Sequence, residues 1–287
     1  MSVHFNYATG RSVLSEQLIP IGNNQYYDIY EGQIVFSRGL VPSLIPLAPL
    51  YDITYSINKL GGGVFDLRTT GAVNYDVTWG DGATETSTAQ VLGHTYAPGA
   101  YVLGIDSDLI YRPRYANGGS VTNITRIAIG PDALLGPVLI RAWQGATFLT
   151  SFSCPSVVSS TWTDISFAWG RSGLTSFPLM DVSSVRNFAS SWADCPDLTT
   201  WPANFFDVTG TLVSAAFNLT WRNSGLSAQS IENILVSLDT NGQSGITLAL
   251  QGGTNANTST WSAAADTAYV SLVGKGWTIA QNGPAPV

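Results

Sequence analysis

"WGRSGLTSFPLMDVSSVRNFASSWADCPDLTTW", residues 169–201, says the same short phrase twice. Trp169 is followed by Leu174 and "LTSF", and Trp192 by Leu198 and "LTTW". Outward from this stretch, Trp143 leads to Leu149 and another "LTSF", while Trp221 leads to Leu226. The four tryptophans stand 26, 23 and 29 residues apart, each with a leucine five or six residues later. A leucine and an aromatic recurring at that period mark a stacked solenoid. One such unit cannot bury its apolar face alone, so each Trp and Leu is expected to pack against the next coil. The predicted repeat core is Trp143, Leu149, Trp169, Leu174, Trp192, Leu198, Trp221 and Leu226.

Beyond the last copy the pattern changes. "LSAQSIENILVSLDTNG" offers Ser227 as a helix N-cap, apolar Ile231, Ile234, Leu235 and Leu238, and an Asn-Gly stop. A strand "ITLAL", a second helix near "STWSAAADTAYVSLVGKG" and a strand "GWTIA" follow. Together they are expected to cap the exposed end of the solenoid.

Before the repeats, from Gly61 to about Asp108, short β-rich runs ("VFDL", "YDVTW", "QVLGHTY", "AYVLGI") alternate with Gly80-Asp81-Gly82 and Pro98-Gly99 turns. That spacing suits a small β-sandwich. Residues 1–58 read as an extended arm, with one or two strands around Glu31-Gly32. Its segment "LVPSLIPLAPLYDI" carries Leu40, Leu44, Ile45, Leu47 and Leu50 between Pro42, Pro46 and Pro49. Prolines at that density exclude a helix, so these side chains need a partner surface. The domain reading is therefore an arm over 1–58, a sandwich over 59–115 and a repeat region with its cap over 116–287.

Composition narrows the function. Charged residues are 11% of the 287, and the 9 Trp, 12 Tyr and 11 Phe point to a folded, turn-rich β protein. A net charge of −7 with only 12 basic residues argues against a nucleic-acid surface. The first residues show no basic and then apolar leader, and no run of about 18 apolar residues is present, so neither secretion nor membrane insertion is expected. Cys154 and Cys195 form no CxxC pair and read as buried thiols, with a disulfide as the alternative.

The side chains that look chemical are few. His4 and His94 are the only histidines, which leaves no multi-histidine metal site. His94 has no G-x-S-x-G elbow to serve, "GGG" at 61–63 lacks the context of a phosphate loop, and "DSD" at 106–108 lacks EF-hand spacing. Asp81 in its Gly-Asp-Gly turn is expected to accept backbone N–H groups, while His94 and Tyr96 share one face of a strand. No catalytic residue, cofactor or metal is expected.

"YDVTWGDGATET" and "HTYAPGAYVLGI" resemble a PKD-type module, an immunoglobulin-like β-sandwich in which these motifs are structural. The resemblance covers Trp79, Gly80, Asp81, Gly82, His94, Tyr96, Gly99 and Tyr101, with Trp79 standing where the family commonly has Phe. The Trp-spaced copies, with "MDVSSVRNFASSW" at 180–192 the nearest, resemble the BspA-like leucine-rich repeats that often follow such a module. The ending resembles tails of bacteriophage structural proteins. The implied fold is mainly β: an immunoglobulin-like sandwich plus a short leucine-rich-repeat-like solenoid with a C-terminal α/β cap. The implied function is that of a non-enzymatic virion protein (capsid decoration, tail fibre or attachment), with adhesion at a bacterial cell surface or glycan binding as the alternative. The expected partners are other virion proteins, reached through the arm, and a host receptor or glycan. Self-association stays open.

Overall fold

In "ITYSINK" the residues Ile53, Tyr55 and Ile57 recur at every second position and are buried to 1% exposure or less. That period of two makes the segment a strand with one face in the core. The same rule places Phe65 and Leu67, Tyr75 and Val77, and Leu103 and Ile105 inward on three further strands. The computed structural model describes residues 3–6, 11–14, 18–22, 25–28 and 33–36 as strands, and residues 51–70, 74–107, 113–114 and 119–286 beyond them. The chain is mainly β and forms no closed barrel. It falls into two compact units, Met1–Ala48 and Pro49–Val287.

The first unit corrects the extended-arm reading of residues 1–58. Five strands, β1 (Val3–Asn6), β2 (Arg11–Leu14), β3 (Leu18–Gly22), β4 (Gln25–Asp28) and β5 (Gln33–Phe36), form an antiparallel sheet in the order β2-β1-β5-β4-β3. Tyr26 pairs with Val35 and Tyr27 with Ile34 in the β4–β5 hairpin, and Phe5 opposite Phe36 joins the first hairpin to it. Each strand has only four or five residues, too few for an alternation that stands out in the sequence. The apolar residues Leu40, Leu44, Ile45, Leu47 and Leu50 lie outside the described residues.

The second unit begins earlier than residue 59, because β6 (Ile53–Lys59) is a central strand of its largest sheet. Seven more strands join it to make eight: β7 (Gly63–Arg68), β8 (Tyr75–Thr78), β9 (Thr84–Ser87), β10 (Val91–Tyr96), β11 (Gly99–Asp106), β12 (Ile124–Ile129) and β13 (Ser151–Ser153). Six of these eight form the sheet β13-β12-β6-β11-β8-β9, and β10 pairs with β7 in a second sheet. Phe65, Leu67 and Tyr96 of the small sheet share one apolar cluster with Tyr55, Val77, Leu103 and Ile105 of the large one. On β12 the register to β6 shifts between Ile124 and Arg126. That bulge lets both Ile124 and Ile127 turn inward although they are three apart. Since β12 and β13 belong to the large sheet, the boundary expected at 115/116 is no break in the fold; sheet and repeats are one compact unit.

After β12 the chain runs in coils, one hydrogen-bonded onto the next. The N–H groups of Leu139, Arg141, Trp143 and Gly145 donate to the carbonyls of Asp164, Ser166, Ala168 and Gly170. Ile165, Phe167, Trp169 and Arg171 donate likewise to Asn187, Ala189, Ser191 and Ala193. Phe188, Ser190, Trp192 and Asp194 donate to Ala216, Asn218, Thr220 and Arg222, and Trp221 and Asn223 to Ala249 and Gln251. Every second residue donates, as in a parallel sheet, yet the backbone is not that of a regular strand. In each coil two residues four apart have left-handed φ: Arg141 and Gly145, Phe167 and Arg171, Ser190 and Asp194, Leu219 and Asn223. Each of these conformations costs a non-glycine residue about 1–2 kcal/mol. The cost recurs in every coil because the two reversals carry the Trp midway between them into the core.

Three helices complete the unit. The short α1 (Ser156–Ser159) lies within the first coil; α2 (Ala228–Asn241) and α3 (Ala263–Gly274) follow the last. Ser227 caps α2 through the Ser230 N–H, Gly242 ends it at φ 79°, and Ile231, Ile234, Leu235 and Leu238 are fully buried. Buried serines on α2 complete the hydrogen bonding of the coil beneath. Ser230 Oγ accepts the Trp201 N–H at 2.9 Å and donates to the Thr199 carbonyl at 2.7 Å. Ser237 Oγ accepts the Phe206 N–H at 2.7 Å and donates to Asp207 at 2.6 Å. The strands β14 (Thr247–Ala249) and β15 (Thr278–Ala280) pair in parallel alongside.

Candidate functional site

Trp79, Gly80, Asp81 and Gly82 form the turn between β8 and β9, and His94 and Tyr96 reach it from β10. The turn closes through the Trp79 N–H on the Ala83 carbonyl at 2.9 Å. Asp81 Oδ1 accepts the Ala83 N–H at 3.1 Å, and Oδ2 lies 2.7 Å from His94 Nε2. The imidazole stacks on Trp79 at 4.7 Å and 11°, and Tyr96 meets it edge-on at 4.7 Å. Buried Tyr96 donates its hydroxyl to the Trp79 carbonyl at 2.7 Å. Gly80 has φ 80°, and a Cβ there would collide with the Val102 carbonyl oxygen. The His94 hydrogen bond, helped by the Ala83 N–H, holds the Asp81 carboxyl below its ordinary range. Burial pushes the Tyr96 phenol up. A His–Asp pair can in general relay a proton. Here Nε2 is bound to the carboxylate and the ring is packed by Trp79 and Tyr96, so what the geometry does is tie the turn to β10.

The second predicted group forms a stack. Trp143, Leu149, Trp169, Leu174, Trp192, Leu198, Trp221 and Leu226 are all fully buried. Trp169 and Trp192 are 5.7 Å apart at 1°, Trp192 and Trp221 5.7 Å at 11°, and Trp143 and Trp169 5.6 Å at 32°. A parallel column comes from the aromatic ends of the LTSF and LTTW phrases: Phe152 on Phe177 at 5.6 Å, and Phe177 on Trp201 at 5.3 Å. A third position, four residues before each Trp, holds Leu139, Ile165, Phe188 and Phe217, all buried. Trp143 donates its indole N–H to the Tyr55 hydroxyl at 3.1 Å, which joins the column to the sheet. The indole nitrogens of Trp169, Trp192, Trp201 and Trp221 are buried with no hydrogen-bond partner. Each costs about 1–3 kcal/mol. Burying the roughly 150–250 Å² of an indole returns about 4–6 kcal/mol, so the rings still stabilise the fold.

Both thiols are free. Burial holds Cys195 well above the ordinary thiol range and pushes Cys154 up to about 12, so neither is a thiolate at neutral pH. On the surface Asp194 lies 3.6 Å from Arg171 and 4.0 Å from Arg222, and accepts the Asn223 amide at 2.9 Å. Among the described residues no three His, Cys, Asp or Glu gather closely enough to hold a metal, and no helix is long and apolar enough to cross a membrane.

Two of the surface grooves on this unit are of a size that takes a small ligand. One, of about 600 Å³, is lined mostly by apolar residues around Pro131, Leu134 and Val157, with Asp132 and Thr161 among them. The other, of about 400 Å³, is lined by Asn58, Leu60, Thr122, Asn123, Phe148 and Thr150 among others. None of these residues stands out in the sequence, where Phe148 is one apolar neighbour of the repeat residue Leu149. The signal that finds it is position: the residues preceding the other repeat leucines are Gly173, Asp197 and Gly225, none of them apolar and bulky. The structure thus places the turn cluster in the sheets and the repeat residues in the coils, while the five apolar residues at 40–50 fall outside the described residues. No protein-family model, no curated protein and no solved structure matches the chain.

Proposed function

We propose that the chain is a non-enzymatic structural protein of a bacteriophage virion: a capsid-decorating, fibre or attachment component. In this reading the sheets from Ile53 to Asp106 are a PKD-type, immunoglobulin-like sandwich used as a spacer. The coils that follow are a short leucine-rich-repeat-like solenoid that presents a surface, with residues 227–283 closing its end. The first 50 residues, with Leu40, Leu44, Ile45, Leu47 and Leu50, dock onto other virion proteins.

The observation that supports this best is the continuous aromatic core. Four tryptophans stack coil on coil, and the first bonds to Tyr55 of the central sheet. A body stiffened from sheet to cap suits a part that holds or presents something. The chemically suggestive groups are also spent on the fold: Asp81 and His94 on a turn, and the protonated thiols in a buried (Cys195) and a half-buried (Cys154) position. The second reading, a bacterial cell-surface adhesin or glycan-binding protein, is favoured by one observation, the exposure of Phe148.

Mass spectrometry of gradient-purified particles tests the first reading. The full-length chain is expected at a fixed copy number per particle. A chain lacking residues 1–50 is expected to fold and yet be missing from particles. Recovery of the full-length chain from a bacterial envelope and never from particles would favour the adhesin.

A further inference from the structure

Among the described residues of Pro49–Val287, Phe148 is the one aromatic side chain more than about a third exposed, at 65%. Every Trp is buried, and Leu60, on the same groove as Phe148, is 75% exposed. The coil architecture does not ask for an aromatic there. At the equivalent place in the next coil a Cβ on Gly173 would come within 2.5 Å of the Thr147 carbonyl oxygen, and one on Gly225 would collide with the Pro196 carbonyl. Backbone of the preceding coil fills those two slots, while the third coil carries an exposed Asp197 at the same place. The first coil has no coil before it, so its slot opens instead onto the β6–β7 turn, and it carries a Phe.

The groove of about 400 Å³ is of a size that takes a small ligand. Around Phe148 and Leu60 its lining is uncharged and hydrogen-bonding. Asn58 is exposed and its amide has no partner among the described residues. Asn123 accepts the Lys59 ammonium on Oδ1 at 3.4 Å, which leaves its NH₂ free to donate. The Thr125 and Thr150 hydroxyls each donate to a backbone carbonyl and keep their oxygens as acceptors. The ammonium of Lys59, which touches the lining at Asn123, makes its shorter bond to the Val64 carbonyl at 2.9 Å.

We infer that this groove binds a neutral oligosaccharide, with Phe148 as the platform for a pyranose face and Asn58, Asn123 and Thr150 as hydroxyl partners. A pyranose face presents C–H groups of partial positive charge, which suit the negative face of an aromatic ring. Its hydroxyls both donate and accept, which suits amides and threonines. A protein partner fits less well. Two exposed apolar side chains are a small part of the roughly 1,200 Å² or more that a stable protein interface buries. The inference does not rest on the virion reading, since a free sugar binds whether or not the chain is assembled in a particle.

The test uses the full-length chain with fluorinated phenylalanine, the Phe148 resonance being assigned by its loss in Phe148→Leu. Maltose, cellobiose, lactose and diacetylchitobiose are titrated to about 10 mM, the range needed for a small open site. At least one is expected to shift the Phe148 signal saturably while the core phenylalanines stay put. Read on the sugar's own proton resonances, which report binding by every variant alike, Phe148→Ala should weaken that binding about tenfold or more at an unchanged melting temperature, and Asn58→Ala should weaken it less. If Phe148→Ala fails to fold, Asn58→Ala, an exposed change, carries the comparison alone. A Phe148 signal that none of the four sugars moves overturns the inference, as does undiminished binding by the variants. A signal that moves with protein concentration instead marks a self-association surface and overturns it too.

Discussion

Trp192 lies mid-column, stacked on Trp169 on one side and on Trp221 on the other. Trp192→Ala removes both stacks and leaves a cavity, and a loss of about 3–5 kcal/mol is expected in denaturant unfolding. Trp192→Phe keeps an aromatic face and deletes an indole N–H that has no partner, so a markedly smaller loss is expected. Equal losses from the two changes would mean that stacking contributes little. Asp81 gives a pH-dependent expectation. Its carboxyl is held below the ordinary range by His94 and Ala83, so its contribution is present above the unfolded-state pKa and fades as pH falls through the folded one. Asp81→Ala should lower the melting temperature at neutral pH by the equivalent of about 1 kcal/mol, the pair being partly open to solvent. In acid the gap from wild type should close, and calcium or a chelator should move neither protein. A gap independent of pH would assign the loss to backbone strain instead. At this scale the sequence was partly legible. The repeat Trp and Leu residues stand out because a leucine five or six residues after each Trp needs only counting. Phe148 does not, because exposure depends on which coil lies beside a residue.

The coil itself is the element where sequence and structure diverge. The recurring Trp marks the coil, but the left-handed residues two before and two after it have no common side chain: Arg, Phe, Ser and Leu on one side, Gly, Arg, Asp and Asn on the other. Glycine would have advertised the reversals, and only Gly145 does so. The inter-coil hydrogen bonds, which all of these residues but Leu219 donate, hold the backbone there instead. Arg171 is 69% exposed with φ 62°, so it isolates the backbone effect. Arg171→Val, β-branched at a left-handed position, should be less stable than Arg171→Gly by about 1–2 kcal/mol in urea unfolding. Equal stabilities would show that the reversal relaxes at little cost. Helix α2 was legible throughout: Ser227, the apolar spacing and Asn241-Gly242 are all local signals. The buried Ser230 and Ser237 were not, since their partners Trp201 and Phe206 are about 30 residues away. Ser237→Ala would leave the Phe206 N–H unbonded and should cost about 1–3 kcal/mol.

For the unit Pro49–Val287 the question is whether sheets and coils act as one body. The sequence suggested a seam near residue 115, because strand-like alternation ends there and the Trp period begins. The seam is bridged by contacts distant in sequence: β12 on β6, β13 on β12, and the Trp143 indole on Tyr55. The proposed spacer role needs this continuity, and native-state hydrogen exchange on the intact chain, compared between wild type and Trp143→Ala, measures it. Removing the indole that joins column to sheet is expected to lower protection in β6 and β11 together with that in the coils at 139–145 and 165–171. Loss of protection in the coils alone, with β6 and β11 as slow as in wild type, would show two independent bodies and contradict the single stiff core.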